Sequence, residues 1–167
     1  MKHKFVPSLL LALMIASITG AATSITRSTQ KSYVGTYKLI VRELPDGTKL
    51  GTPHIMGLLT LTERYINVNM VWQDGNGKHF SYSAISEYKL TPTEYTETML
   101  FSVRNDEISS QPISYDLVGK TKTVPVTLDG SKIKFDPPFS PASLVFDENW
   151  ITTKVQGKYT HYWERVP

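Results

Sequence analysis

Tyr65-Ile66-Asn67-Val68-Asn69-Met70-Val71-Trp72-Gln73, followed by Asp74-Gly75-Asn76-Gly77, decides the fold of this chain. Ile66, Val68, Met70 and Trp72 fall at every second position, and Asn67 and Asn69 hold the places between. A period of two is the signature of a strand with one dry face and one wet face. The Asp-Gly-Asn-Gly run tolerates positive φ, so the chain turns back as a hairpin. Its partner is residues 79–90, where Phe80, Tyr82, Ala84, Tyr88 and Leu90 alternate with Ser81, Ser83, Glu87 and Lys89.

Outward from this hairpin the same punctuation repeats. Strands are expected at 33–43, 55–62, 95–104, 113–118, 123–128, 131–135, 144–146, 151–155 and 159–166, separated by turn signals such as Pro45-Asp46-Gly47 and Asp129-Gly130. The first puts Gly35, Tyr37, Leu39 and Val41 on one face and Lys38 and Arg42 on the other, while Met99, Phe101 and Val103 share a face further on. Asp136-Pro137-Pro138-Phe139-Ser140-Pro141 prevents regular pairing and reads as a surface loop or barrel rim. No stretch of helical length keeps apolar residues at three-and-four spacing. The chain is therefore expected to be all-β, an antiparallel up-and-down β-barrel of about eight to ten strands.

The N-terminus reads differently. Lys2, His3 and Lys4 lead into an apolar run from Leu9 to Ile18 and then into Gly20-Ala21-Ala22, the pattern of a secretory signal peptide over residues 1–22. Residues 23–32 are expected to form a flexible lead-in, and residues 33–167 the barrel domain. Removing the leader takes Lys2 and Lys4 from the 18 basic side chains and leaves 15 acidic ones, a formal charge of +1, so no nucleic-acid footprint is expected. There is no cysteine, hence no disulfide and no cysteine-ligated metal. The expected location is outside the cytoplasm, periplasmic or secreted, with no membrane span once the leader is gone. A lipid-embedded barrel would have to turn Lys38, Arg42, Asn67, Asn69, Glu87 and Lys89 toward lipid, at about 2–4 kcal/mol for each cationic side chain at the midplane and less for Glu.

Gly35-Thr36-Tyr37 opening the first strand and Trp163-Glu164-Arg165 closing the last resemble the two ends of bacterial exported lipocalin-like (calycin-type) β-barrel proteins. In those proteins a Gly-x-Trp strand lies beside a closing strand that bears a Trp and a basic residue; here Tyr37 stands in the Trp position. Residues 88–101, with Glu94-Tyr95-Thr96-Glu97 in the middle, resemble the central hairpin of the same group. The resemblance implies a barrel that binds a small hydrophobic molecule. It further implies a closure built from Gly35, Tyr37 and Arg165, with Tyr37 plugging one end and Arg165 lying across its ring.

The interior of an eight-stranded barrel is wide enough to be packed solid or to hold one small ligand. Met70, Trp72, Tyr82, Met99, Phe101 and Trp163 suit either role, as core or as cavity wall. Alternation also puts Glu97 on the face of Tyr95, Met99 and Phe101, and His161 on the face of Tyr159, Trp163 and Arg165. Unpaired inside the barrel, Glu97 would have a raised pKa; paired with Arg165 or His161 it would stay charged. The two are read as a satisfied network near the mouth, as contacts for a polar head group, or as a general acid and base of the kind used by small barrel isomerases and cyclases. No residue is assigned a catalytic role. His54, His79 and His161 lack metal-ligand spacing, and neither metal nor cofactor is expected. The expected function is binding of a small hydrophobic molecule. Alternatives are a filled barrel that contacts a protein of the cell envelope through residues 105–111 and 136–141, and a barrel enzyme.

Overall fold

A computed structural model describes residues 33–117 and 119–167; the leader expected at 1–22, the lead-in expected at 23–32 and residue 118 lie outside the described residues. Thirteen strands form one antiparallel sheet: β1 (Gly35–Glu43), β2 (Lys49–Leu50), β3 (Ile55–Leu61), β4 (Tyr65–Gln73), β5 (His79–Leu90), β6 (Glu94–Asp106), β7 (Gln111–Asp116), β8 (Lys120–Pro125), β9 (Thr127–Asp129), β10 (Lys132–Phe135), β11 (Ser143–Asp147), β12 (Trp150–Val155) and β13 (Tyr159–Arg165). The count exceeds the eight to ten expected. Strands of two or three residues, β2 and β9, are too short to carry an alternation, and the outer strands β7 and β8 are mostly exposed, so their residues need not alternate. No helix among the described residues is long and apolar enough to cross a membrane.

Strands β3 to β7 and β9 to β13 pair with their sequence neighbours, β1 sits between β3 and β13, β2 pairs with β1, and β8 pairs with β6 alongside β7. The β4–β5 hairpin forms because Asp74 Oδ1 accepts from the amides of Asn76 and Lys78, both at 2.9 Å, and Gly77 takes φ 81°. The sheet curls into a half-barrel. Tyr95 on β6 stacks on Phe135 of β10 at 4.2 Å, although seven strands separate them in the sheet order. Tyr33, Tyr37, Leu39, Ile55, Phe146, Ile151 and Trp163 are buried on the concave side.

Two β-bulges, on β1 and β6, reverse the alternation around the interior, and a third register shift lies between β6 and the outer strand β7. On β1, Leu39 faces Trp163 and Val41 faces Tyr162, so Ile40 is an extra residue and Arg42 comes to lie opposite His161. Arg42 is thus turned inward and keeps only 6 % of its surface, a correction to its expected place beside Lys38. On β6, Met99 pairs with Ser86 and Phe101 with Ile85, which leaves Leu100 extra. Phe101 and Val103 therefore share the convex face with Ile85 and Ser83, and Ser102 and Arg104 turn inward opposite Ala84 and Tyr82. The expected inward Phe101 is corrected by the same insertion, because each extra residue reverses every side chain beyond it.

Tyr37 is fully buried and donates from its hydroxyl to the Tyr33 carbonyl at 3.1 Å. The Arg165 guanidinium lies 5.5 Å from the centre of its ring and donates to the Val34 carbonyl at 2.8 Å. Gly35 leaves the room: a Cβ there would stand 3.0 Å from Arg165 Nε. Gly57 on β3 is hemmed in by atoms that yield less than a flexible arginine, since a Cβ would meet the Asn69 backbone O at 3.1 Å and Trp163 Cη2 at 3.2 Å. Gly57→Ala is expected to cost about 1–3 kcal/mol by overpacking. Urea unfolding checks this, and an unchanged midpoint would contradict the packing described.

Candidate functional site

The concave side of the sheet encloses a cavity of about 320 Å³. Strands β4, β5, β6 and β13 supply most of its wall, because their inward positions carry Met70 and Trp72, Phe80 and Tyr82, Glu97 and Met99, and His161 and Trp163. The loop between β10 and β11 forms a lip, with Pro137, Phe139 and Pro141 turned to the cavity and Lys122 of β8 lying 5.5 Å over the Phe139 ring. Of the residues expected at the site, Met70, Trp72, Tyr82, Glu97, Met99, His161 and Trp163 line this space. Phe101, on the other face, does not.

The aromatic wall is ordered by stacking. Trp72 and Phe80, opposite one another on β4 and β5, stack at 3.9 Å, and Tyr159 and His161 stack at 4.4 Å. Trp163 donates from Nε1 to Thr153 Oγ1 at 3.2 Å, which satisfies the polar edge of a ring that is otherwise buried.

Glu97 is 7 % exposed and has neither Arg165 nor His161 as partner. Its Oε2 accepts from the Tyr95 hydroxyl at 3.2 Å, and the Ser86 hydroxyl donates to the same carboxylate. Burial pushes the carboxyl pKa up, and the two hydroxyl donors oppose that rise without cancelling it. Tyr95 is itself driven well above its ordinary range by burial and by the Glu97 charge.

Behind the cavity wall, Arg42 packs against two tilted rings, Trp72 and Tyr159, whose centres lie 6.5 Å apart with their planes at 56°. Its guanidinium carbon lies 4.0 Å from the Trp72 ring centre and 4.3 Å from that of Tyr159, contacts worth roughly 0.5–2 kcal/mol each. Nε donates to His161 Nε2 at 2.8 Å. That bond requires a neutral imidazole with its proton on Nδ1; burial, and then the Arg42 charge, hold the His161 pKa down at about 3. Arg42 is lowered by burial to about 10 and stays a cation at neutral pH. Its Nη2 is buried with no hydrogen-bond partner among the described residues, and such an orphaned donor costs about 1–3 kcal/mol.

Sequence reasoning missed Arg42, Ser86, Arg104 and Tyr159 as parts of this site. Leu39-Ile40-Val41 and Met99-Leu100-Phe101 each contain the extra residue, but Met70-Val71-Trp72 and Leu144-Val145-Phe146 are equally apolar triplets in regularly paired strands, so the sequence carries no distinguishing signal for the two arginines. No known protein family matches the chain, and a search of curated protein sequences finds no match.

The two buried titratable groups tilt stability with pH in opposite senses. Unfolded His161 takes up a proton below about 6.5 and the folded form does so near 3, so its contribution is lost as pH falls through that window. Folded Glu97 holds its proton above 4.5, where the unfolded chain has released it, so its contribution is lost as pH rises. Between about 4.5 and 6.5 the two slopes oppose each other. Glu97→Gln should leave the His161 slope alone and make stability climb with pH more steeply than in the unmodified protein, by up to about 1.4 kcal/mol per pH unit. His161→Gln, which keeps an acceptor for Arg42, should tilt the slope the other way. Urea titrations at pH 5 and pH 6.5 measure both, and parallel behaviour of all three proteins would refute the assignment.

Proposed function

We propose that this chain is an exported lipocalin-like β-barrel that binds a small, largely apolar molecule in its interior. The observation that carries the reading is the cavity of about 320 Å³ walled by Met70, Trp72, Phe80, Tyr82, Met99 and Trp163. Pockets for small molecules run from about 300 to 1,000 Å³, mostly apolar with a few polar groups that fix orientation. Glu97, Ser86 and His161 are such groups here. At roughly 30 Å³ per water the space equals about ten waters, and their release from an apolar wall drives the binding.

Closure of the barrel is supported by the path of the outer strands. β8 pairs with β6, β9 pairs with β10, and Val126 alone separates β8 from β9. Its amide donates to the Thr93 carbonyl at 2.9 Å, so the two margins of the curled sheet are joined by the chain at that point. Export is supported by the leader-like pattern of residues 1–22.

Titration with fatty acids, fatty alcohols and retinoids is expected to quench tryptophan emission, since Trp72 and Trp163 both line the cavity. In calorimetry Trp72→Ala should weaken binding about fivefold, the equivalent of losing one aromatic contact near 1 kcal/mol. Indifference to the whole panel would overturn the reading.

A further inference from the structure

Glu97 is the one carboxylate among the described residues that line the cavity, and it keeps 7 % of its surface. The hydroxyls of Tyr95 and Ser86 donate to it, which fills two of its roughly four lone-pair sites and leaves its charge unbalanced. It forms no ion pair among the described residues, and no cation figures among the groups that act on it. Lys122, opposite Glu97 in the β6–β8 ladder, lays its ammonium over the Phe139 ring instead. The two arginines near the cavity lie toward its other end. Arg104 lines the cavity opposite Tyr82, and Arg42 lies behind Trp72, whose ladder partner is Phe80. Glu97 faces Tyr88, six residues beyond Tyr82 and so roughly 20 Å further along β5 at about 3.3 Å per residue.

We propose that Glu97 receives a protonated amine, so that the ligand is a small apolar primary amine whose ammonium is held by the Glu97 carboxylate and whose hydrocarbon body fills the cavity. The inference rests on the binding function proposed above and names its ligand class. An ammonium brings three donors and one positive charge to a group that accepts only, and such charge-assisted hydrogen bonds are the strong ones. It supplies the charge that two hydroxyls cannot, and so offsets the cost of an ionised carboxylate in apolar surroundings. Tyr82 and Tyr95 line the same cavity and are close enough to Glu97 for its charge to act on them. Aromatic rings beside the carboxylate also favour a cation over a neutral head group.

The test compares 2-phenylethylamine with 2-phenylethanol, which share a skeleton and differ in charge, by calorimetry at neutral pH on the purified protein and on Glu97→Gln. The amine should bind at least tenfold more tightly, about 1.4 kcal/mol, and that preference should shrink to within about twofold in Glu97→Gln. A crystal structure with 2-phenylethylamine should place its nitrogen within hydrogen-bond distance of the Glu97 carboxylate, a measurement that stands even if Glu97→Gln fails to fold. Equal affinity for amine and alcohol would overturn the amine site and leave the cavity's binding role intact. A preference for the amine that survives in folded Glu97→Gln, or tighter binding of 3-phenylpropionate, drawn to Arg104 or Lys122, would also overturn it. Failure of both phenylethyl probes would overturn the amine site, and the fatty alcohols and retinoids of the panel above then decide separately whether the cavity binds at all.

Discussion

A pleated strand gives each side chain one of two directions, and the interior of this protein depends on the two places where an extra residue exchanges them. Were Ile40 paired in regular register, Arg42 would stand in water beside Lys38; bulged out, it lets the guanidinium pack against Trp72 and Tyr159. Were Leu100 paired in regular register, Phe101 would project into the concave side; bulged out, it leaves the inward places beyond Met99 to Ser102 and Arg104. The second bulge therefore does for volume what the first does for charge. It takes a bulky ring out of the interior and leaves room beside Tyr82 and Met99.

The polar groups that result are held by different means. Arg42 is stabilised through ring faces and one imidazole nitrogen, Glu97 through two hydroxyl donors, and neither figures among the charges acting on the other. Burial moves each toward its neutral form. For the arginine the shift is too small to remove the charge near neutrality. The interior thus has a polarity: positive charge behind the wall at Trp72 and Tyr159, and a hydrogen-bonding carboxyl on β6 that lines the cavity. A symmetric hydrocarbon would use neither feature.

The all-β class and the central hairpin were legible because Tyr65–Gln73 and His79–Leu90 alternate over most of their length, with departures at Val71, Ile85 and Ser86, and meet at a turn rich in Gly, Asp and Asn. Met70, Trp72, Tyr82, Glu97, Met99, His161 and Trp163 could be placed on one face for the same reason. Phe101 and Arg42 could not, since a bulge is a count of residues on two strands and a single strand records only one of the counts. The outer strands were shifted by a few residues, Gln111–Asp116 against an expected 113–118, because exposed positions exert no preference for one register over another. Ser86, small and polar, carries no sign that it is buried at 2 % exposure against Glu97.

The pairing of β1 with β13 has a consequence for the order in which the molecule assembles. Strands β3 to β6 meet neighbours joined to them by short turns, and such local contacts form early. Arg42 and His161, by contrast, are 119 positions apart, and the long loop between them must be closed before their contact returns any energy. Joining β1 to β13 is the slow, late event. Until it happens Tyr37, Leu39 and Trp163 remain wet, so the nascent meander is the species most exposed to aggregation.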